Sequence, residues 1–169
     1  GTGFAGHKDN RAAEHFADKA LSKYKDLIVI VFDWPCHGED GRKKISLADC
    51  DAYLRLVTDY AKDSLGAEKV YVYATSFGGY MTLKYIAEQG DPFEKIALRC
   101  PAVNMYEVFC AGVLSEESRS LLERGKDAMA GFDRKIKVSP AFLEELREQD
   151  IRRRSFLDYA DDVLILHGT

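Results

Sequence analysis

Apolar residues recur every three to four positions near the start of the chain. Ala13, Phe16, Ala17, Ala20, Leu21 and Tyr24 fall on one stripe, which predicts a helix from about Asn10 to Tyr24 with Asp9 or Asn10 as its cap. Leu27 to Phe32 is a continuous, β-branched apolar run, the pattern of a strand buried on both faces. Ser46 and Asp49 resemble a capping box; Leu47, Cys50, Leu54, Val57, Ala61 and Leu65 then share one helical face that Gly66 stops. A short strand is expected at Lys69 to Ala74, a helix at Phe77 to Gln89 closed by Gly90 and Pro92, and a strand at Lys95 to Arg99. Strand and helix patterns that alternate in this way predict an α/β protein with a mostly parallel sheet covered by helices.

The pattern changes after Pro101. Residues 102–160 read as helices without a strand, at about Met105 to Ala111, Glu116 to Ala130, Pro140 to Gln149 and Ile151 to Tyr159, with Ser139-Pro140 as a start signal. Val163 to Leu166 then returns as a buried strand. The expected organisation is a core at 1–101, a helical cap insertion at 102–160 and a returning core strand at 161–169. A helical excursion between core strands is a candidate lid over the strand ends. Phe109, Leu114 and Met129 are loose candidates for lining a pocket beneath it, but residues of this kind are more often plain helix-packing positions and are left out of the site.

Composition narrows the function classes. The 169 residues carry 24 Lys and Arg against 28 Asp and Glu, a net charge of −4, with 46% apolar and 31% charged residues. That balance suits a globular domain and offers no basic field for nucleic acid. Arg152-Arg153-Arg154, flanked by acids, reads as a solvated face. The longest apolar runs fall far short of the roughly 20 residues of a spanning helix, so no membrane association is expected. No secretory signal is visible. Cys36, Cys50, Cys100 and Cys110 lack metal or redox spacing and read as buried thiols of a reducing compartment, hence a cytoplasmic protein; Cys36-His37 has no second cluster to make it a metal pair.

The chemistry concentrates in three segments. Ala74-Thr75-Ser76-Phe77-Gly78-Gly79 lies between a predicted strand and helix. A sharp turn there would expose Ser76 at a helix N-terminus and would require small residues at positions 74 and 78. Gly1-Thr2-Gly3-Phe4-Ala5-Gly6-His7-Lys8 is a glycine-rich loop whose Phe4 N–H, together with the Phe77 N–H, could receive an oxyanion. Asp33-Trp34-Pro35-Cys36-His37-Gly38-Glu39-Asp40 reads as a turn in which Asp33 and His37 bond backbone groups.

In this order the three segments resemble the α/β-hydrolase superfamily, most nearly its small-ester hydrolases such as feruloyl and cinnamoyl esterases and its dipeptidyl-peptidase-like members. Ala74 to Gly79 looks like the nucleophile elbow, Gly3 to Lys8 like the oxyanion loop, Asp33 to Gly38 like the following turn, and Val163 to Thr169 like the strand before the catalytic acid. The likeness spans the chain. It departs at Ala74, Thr2, Cys36 and Asp40, where relatives often carry Gly, His, Gly and Ser. It implies a serine hydrolase in which Ser76 forms an acyl-enzyme with a small-molecule ester, without metal or organic cofactor. It also implies that the acid and base lie outside residues 1–169, because none of His7, His15, His37 and His167 occupies the base's place in the family order.

Two other readings compete. Gly1, Gly3 and Gly6 satisfy the dinucleotide-binding spacing G-x-G-x-x-G, and a buried strand ending in Asp33 follows. A hydrolase fold can also serve as a binding module without catalysis.

Overall fold

The computed structural model describes residues 1–38 and 44–168, so Glu39 and Asp40 of the candidate turn and Thr169 lie outside the described residues. Three parallel strands form the main sheet: β1 (Tyr71–Thr75), β2 (Lys95–Arg99) and β5 (Val163–Leu166), in the order β1-β2-β5. Tyr71 stands opposite Lys95 in the first pair and Ile96 opposite Val163 in the second. Each strand lies within one or two residues of its predicted position, so the α/β reading holds.

The helices follow their caps. In α1 (Arg11–Lys23), Asn10 Oδ1 accepts the Ala13 N–H; in α2 (Leu47–Asp59), Ser46 Oγ accepts the Asp49 N–H. Only half of the expected capping box forms at Ser46. The Leu47 N–H donates instead to Glu145 Oε2 at 2.8 Å, a carboxylate 98 positions along the chain. A π-helical turn, Tyr60–Ser64, extends α2 toward Gly66. The central helix α3 (Phe77–Gln89) matches its prediction end to end and is buried from Phe77 through Ile86. It packs on β1 and against α2. Each large apolar side chain so enclosed contributes about 1.5–3 kcal/mol. Lys84 enters this interface too, only 5% exposed, with its Nζ 2.5 Å from Asp51 Oδ2 of α2 and 2.7 Å from Glu88 Oε2.

Several expectations fail. Leu27 to Phe32 forms no strand: its backbone makes no ladder hydrogen bonds among the described residues, and Ile28, Ile30 and Val31 are exposed. A strand exists through its neighbours. Here β1 faces the segment only across a cleft of about 610 Å³, lined by Ile28, Ile30, Phe32, Val72 and Tyr73. Apolar content was legible there, but the pairing was not.

Residues 102–160 do contain strands. β3 (Ala128–Ala130) and β4 (Ile136–Val138) form an antiparallel hairpin, with Met129 opposite Lys137. The helix expected to reach Ala130 is α5 (Glu116–Glu123), ended by Gly125 at φ +75°. The Gly125 N–H donates to Leu122 O and the Lys126 N–H to Leu121 O, which closes a Schellman cap that a side chain at 125 would strain. The remaining helices are α4 (Met105–Val108), continued by a π turn at Phe109–Val113, and α6 (Pro140–Glu148), capped by Ser139 as predicted. In place of a helix at 151–159 there are two single 3₁₀ turns, Ile151–Arg153 and Leu157–Tyr159.

The thiols also differ from expectation. Cys36 and Cys50 are buried, Cys100 is exposed, Cys110 is half-buried, and no disulfide joins them. Arg152 and Arg153 pair with Asp150, and Arg154 with Glu88, at the surface, as a solvated face would. No helix among the described residues is long and apolar enough to cross a membrane.

Candidate functional site

β1 ends at Thr75 and α3 starts at Phe77, so Ser76 alone makes the turn between them. Its φ of +49° and ψ of −115° lie in the left-handed half of backbone space, which a non-glycine residue enters at a cost of about 1–3 kcal/mol. Backbone bonds pin it there. The Ser76 N–H donates to Arg99 O at 3.2 Å, and Ser76 O accepts from Tyr80 at 3.1 Å and Ala102 at 3.2 Å. Ser76 does not cap α3 with its side chain, and its hydroxyl bonds no other described residue.

The small residues around the turn have defined partners. A Cβ at Gly78 would lie 2.8 Å from Thr2 O and 2.9 Å from the Gly1 carbonyl; one at Gly79 would lie 2.7 Å from Pro101 Cβ. The glycine-rich loop therefore rests on the first turn of α3. The Gly78 N–H donates to Thr2 O at 3.0 Å and the Thr75 N–H to Gly1 O at 3.1 Å. Gly3 abuts the serine, since a Cβ there would stand 3.8 Å from Ser76 Oγ.

The side chains of Phe4 and Phe77 pack against each other. Both side chains are buried, with ring centroids 5.5 Å apart and edge to face. Neither backbone N–H donates to another described residue. The Ala5 N–H, one position on, is occupied by His37 Nε2 at 2.9 Å.

The 33–38 turn braces this loop at three points. The Lys8 N–H donates to Asp33 Oδ1 at 2.6 Å, the Trp34 Nε1–H to Thr2 O at 3.2 Å, and the Ala5 N–H to His37. The sequence suggested backbone bonds from Asp33 and His37. It gave no sign that their partners lie in the glycine loop, because the contacts span 25 and 32 positions. Burial lowers the His37 pKa from 6.5, opposed by its bond to Pro35 O and by the charge of Asp33.

The geometry removes the dinucleotide reading. Gly1, Gly3 and Gly6 do not open a helix: the Gly6 N–H turns back to Gly3 O at 3.1 Å, and α1 starts only at Arg11 under its own Asn10 cap. Gly1 and Gly3 are packed against Gly78 and Ser76, where a pyrophosphate would have to pass. No group of three or more His, Cys, Asp or Glu among the described residues could hold a metal. Phe109 and Leu114 are core residues, whereas Met129 is exposed on the hairpin.

A parallel strand running through a left-handed serine into a buried helix, with a glycine loop folded on the turn, defines the elbow class of α/β proteins. A family model described as alpha/beta hydrolase fold matches residues 2–135, and the chain belongs to that family. No curated protein matches. Among solved structures, Est1E from Butyrivibrio proteoclasticus, described with ferulic acid bound, superposes with a TM-score of 0.71 at 21% identity, covering 99% of this chain and 66% of Est1E. Alpha/beta hydrolase domain-containing protein 10 from mouse gives 0.62 at 16% identity, covering 99% of this chain and 66% of its own. A monoacylglycerol lipase from Paleococcus ferrophilus gives 0.55 at 19%, covering 97% and 70%. At these identities the likeness shows the fold. The chain spans just under two thirds of the length of Est1E.

Proposed function

We propose that the protein is a serine hydrolase of carboxylic esters. The observation that carries this reading is Ser76 itself, held at φ +49° at the mouth of α3 with its hydroxyl engaged by no described residue. A serine kept only to cap a helix would be expected to adopt extended geometry and bond the N2 or N3 N–H. In the proposed reaction Ser76 Oγ attacks the ester carbonyl carbon and passes its proton to a general base. The N–H groups of Phe4 and Phe77 receive the negative charge that develops on the carbonyl oxygen. Collapse expels the alcohol, which takes the proton, and water then releases the acid from the acyl-enzyme. Among the described residues no histidine bonds the Ser76 hydroxyl. No metal or organic cofactor enters this chemistry.

The 102–160 segment acts as a cap whose hairpin closes one side of the site, since a Cβ at Gly131 would stand 3.0 Å from Ala5 Cβ. Small-molecule esters of aryl acids are the first substrates to try, because Est1E is described with ferulic acid. Fluorophosphonate labelling of the whole protein, followed by peptide mapping, tests the assignment. Label on Ser76, and loss of both label and ester turnover in Ser76→Ala, is the expected result. Turnover that survives the substitution would leave the protein a hydrolase by some other route. A protein that neither labels nor turns over would be a binding module.

A further inference from the structure

His37 is 3% exposed, and both of its ring nitrogens are committed. Nδ1 lies 2.9 Å from Pro35 O, a group that can only accept, so Nδ1 carries the proton. Nε2 therefore presents its lone pair, and it accepts the Ala5 N–H at 2.9 Å. Ala5 is itself held at φ +60°, a conformation a non-glycine residue does not keep unaided. The same ring lies parallel to Phe77, with centroids 6.3 Å apart, and meets Phe4 edge to face at 5.4 Å. One neutral imidazole thus touches both residues whose N–H groups would form the oxyanion hole, and bonds the residue next to one of them.

We infer that His37 is a positioning residue: its neutral ring latches the 1–8 loop in the shape that presents the Phe4 N–H, and protonation of Nε2 opens the latch. The inference rests on the ester-hydrolase reading of Ser76 for its effect on rate, but not for the latch itself. Protonation turns the acceptor at Nε2 into a donor aimed at another donor, so the Ala5 bond cannot survive it. Among the described residues, one charged group acts on the ring. Asp33, on the same turn, is the carboxylate whose charge acts on it, and Asp33 is already paired with the Lys8 ammonium of the loop. From α3, Phe77 brings only an uncharged ring, as does Phe4 from the loop. Burial keeps the ring neutral at neutral pH, and acidification loads it.

Two variants separate the latch from mere packing. His37→Gln can offer its Oε1 to the Ala5 N–H and does not titrate; His37→Phe fills the space without an acceptor. The first readout is NMR of the protein: the His37 ring nitrogens and the Ala5 amide followed against pH. The Nδ1–H tautomer is expected, with the Ala5 amide moving at the same midpoint as the ring and no longer titrating in His37→Gln. The second readout is the rate of Ser76 modification by a fluorophosphonate at neutral pH. His37→Phe is expected to slow it roughly tenfold to a hundredfold, and His37→Gln to restore most of it. An Ala5 amide that ignores the His37 titration, or that still titrates in His37→Gln, overturns the latch. So does a folded His37→Phe that is labelled as fast as the parent. If Ser76 is not labelled in any protein, the esterase reading falls, and the Ala5 titration alone decides the latch.

Discussion

Ser76, Gly78 and His37 show how much one position can hold. The elbow was legible because its requirement is steric: position 78 meets the Thr2 and Gly1 carbonyls, so only glycine fits. Gly78→Ala is expected to push the loop away from α3, costing about 1–3 kcal/mol as other overpacked sites do, and to slow Ser76 labelling. A denaturant midpoint and a labelling rate measured on one sample check both effects. His37 was legible only as a turn residue, since the Ala5 bond is a tertiary fact with no local spacing behind it. Its lowered pKa also fixes a sign. In the pH window just below 6.5 the unfolded chain binds more protons than the folded one, so stability is full above about pH 6.5 and falls as pH drops through that window. Urea midpoints at about pH 7.5 and 5.5 should show a larger loss for the parent than for His37→Gln.

Elements were readable where the signal is carried by the element itself. α3, β2 and β5 match their predicted bounds because each carries its own signal: α3 an apolar stretch stopped by Gly90, and β2 and β5 short runs of strand-forming residues. Reading failed where a neighbour decides. Leu27 to Phe32 has a strand's composition but no hydrogen-bonding partner among the described residues. The β3–β4 hairpin is two three-residue strands that define each other only by pairing. α5 differs from these: its stop lies in the sequence, since Gly125 at φ +75° ends the helix before Ala130. Between α2 and α3 the lysine at 84 is likewise intelligible only in three dimensions, where Asp51 and Glu88 flank it. Lys84→Met leaves Asp51 without its ion-pair partner and Glu88 with only the more distant Arg154, in a largely buried interface, and about 3 kcal/mol of stability should be lost. Equilibrium unfolding in urea is the measurement, and a change under about 0.5 kcal/mol, the scale of ordinary surface substitutions, would show the cluster to be inert.

The whole chain distributes its apolar surface unevenly. β5 is an edge of the sheet, and its Leu164, Ile165 and Leu166 are half exposed; α1 buries no residue, and its Phe16, Leu21 and Tyr24 remain in contact with solvent. Exposed apolar edges invite pairing between molecules. The 1–169 polypeptide is expected to self-associate with rising concentration, and Ile165→Lys to reduce this, with sedimentation velocity as the check. The brace on the glycine loop has one more consequence. Trp34 is the only tryptophan in the chain; it is 2% exposed and donates its indole N–H to Thr2 O. Ultraviolet excitation selective for indole therefore addresses one chromophore, seated where the loop meets the elbow. Detachment of that loop would free the N–H and admit water, so the emission should shift to longer wavelength. The molecule carries its own optical gauge of whether the site is assembled, with no label to attach.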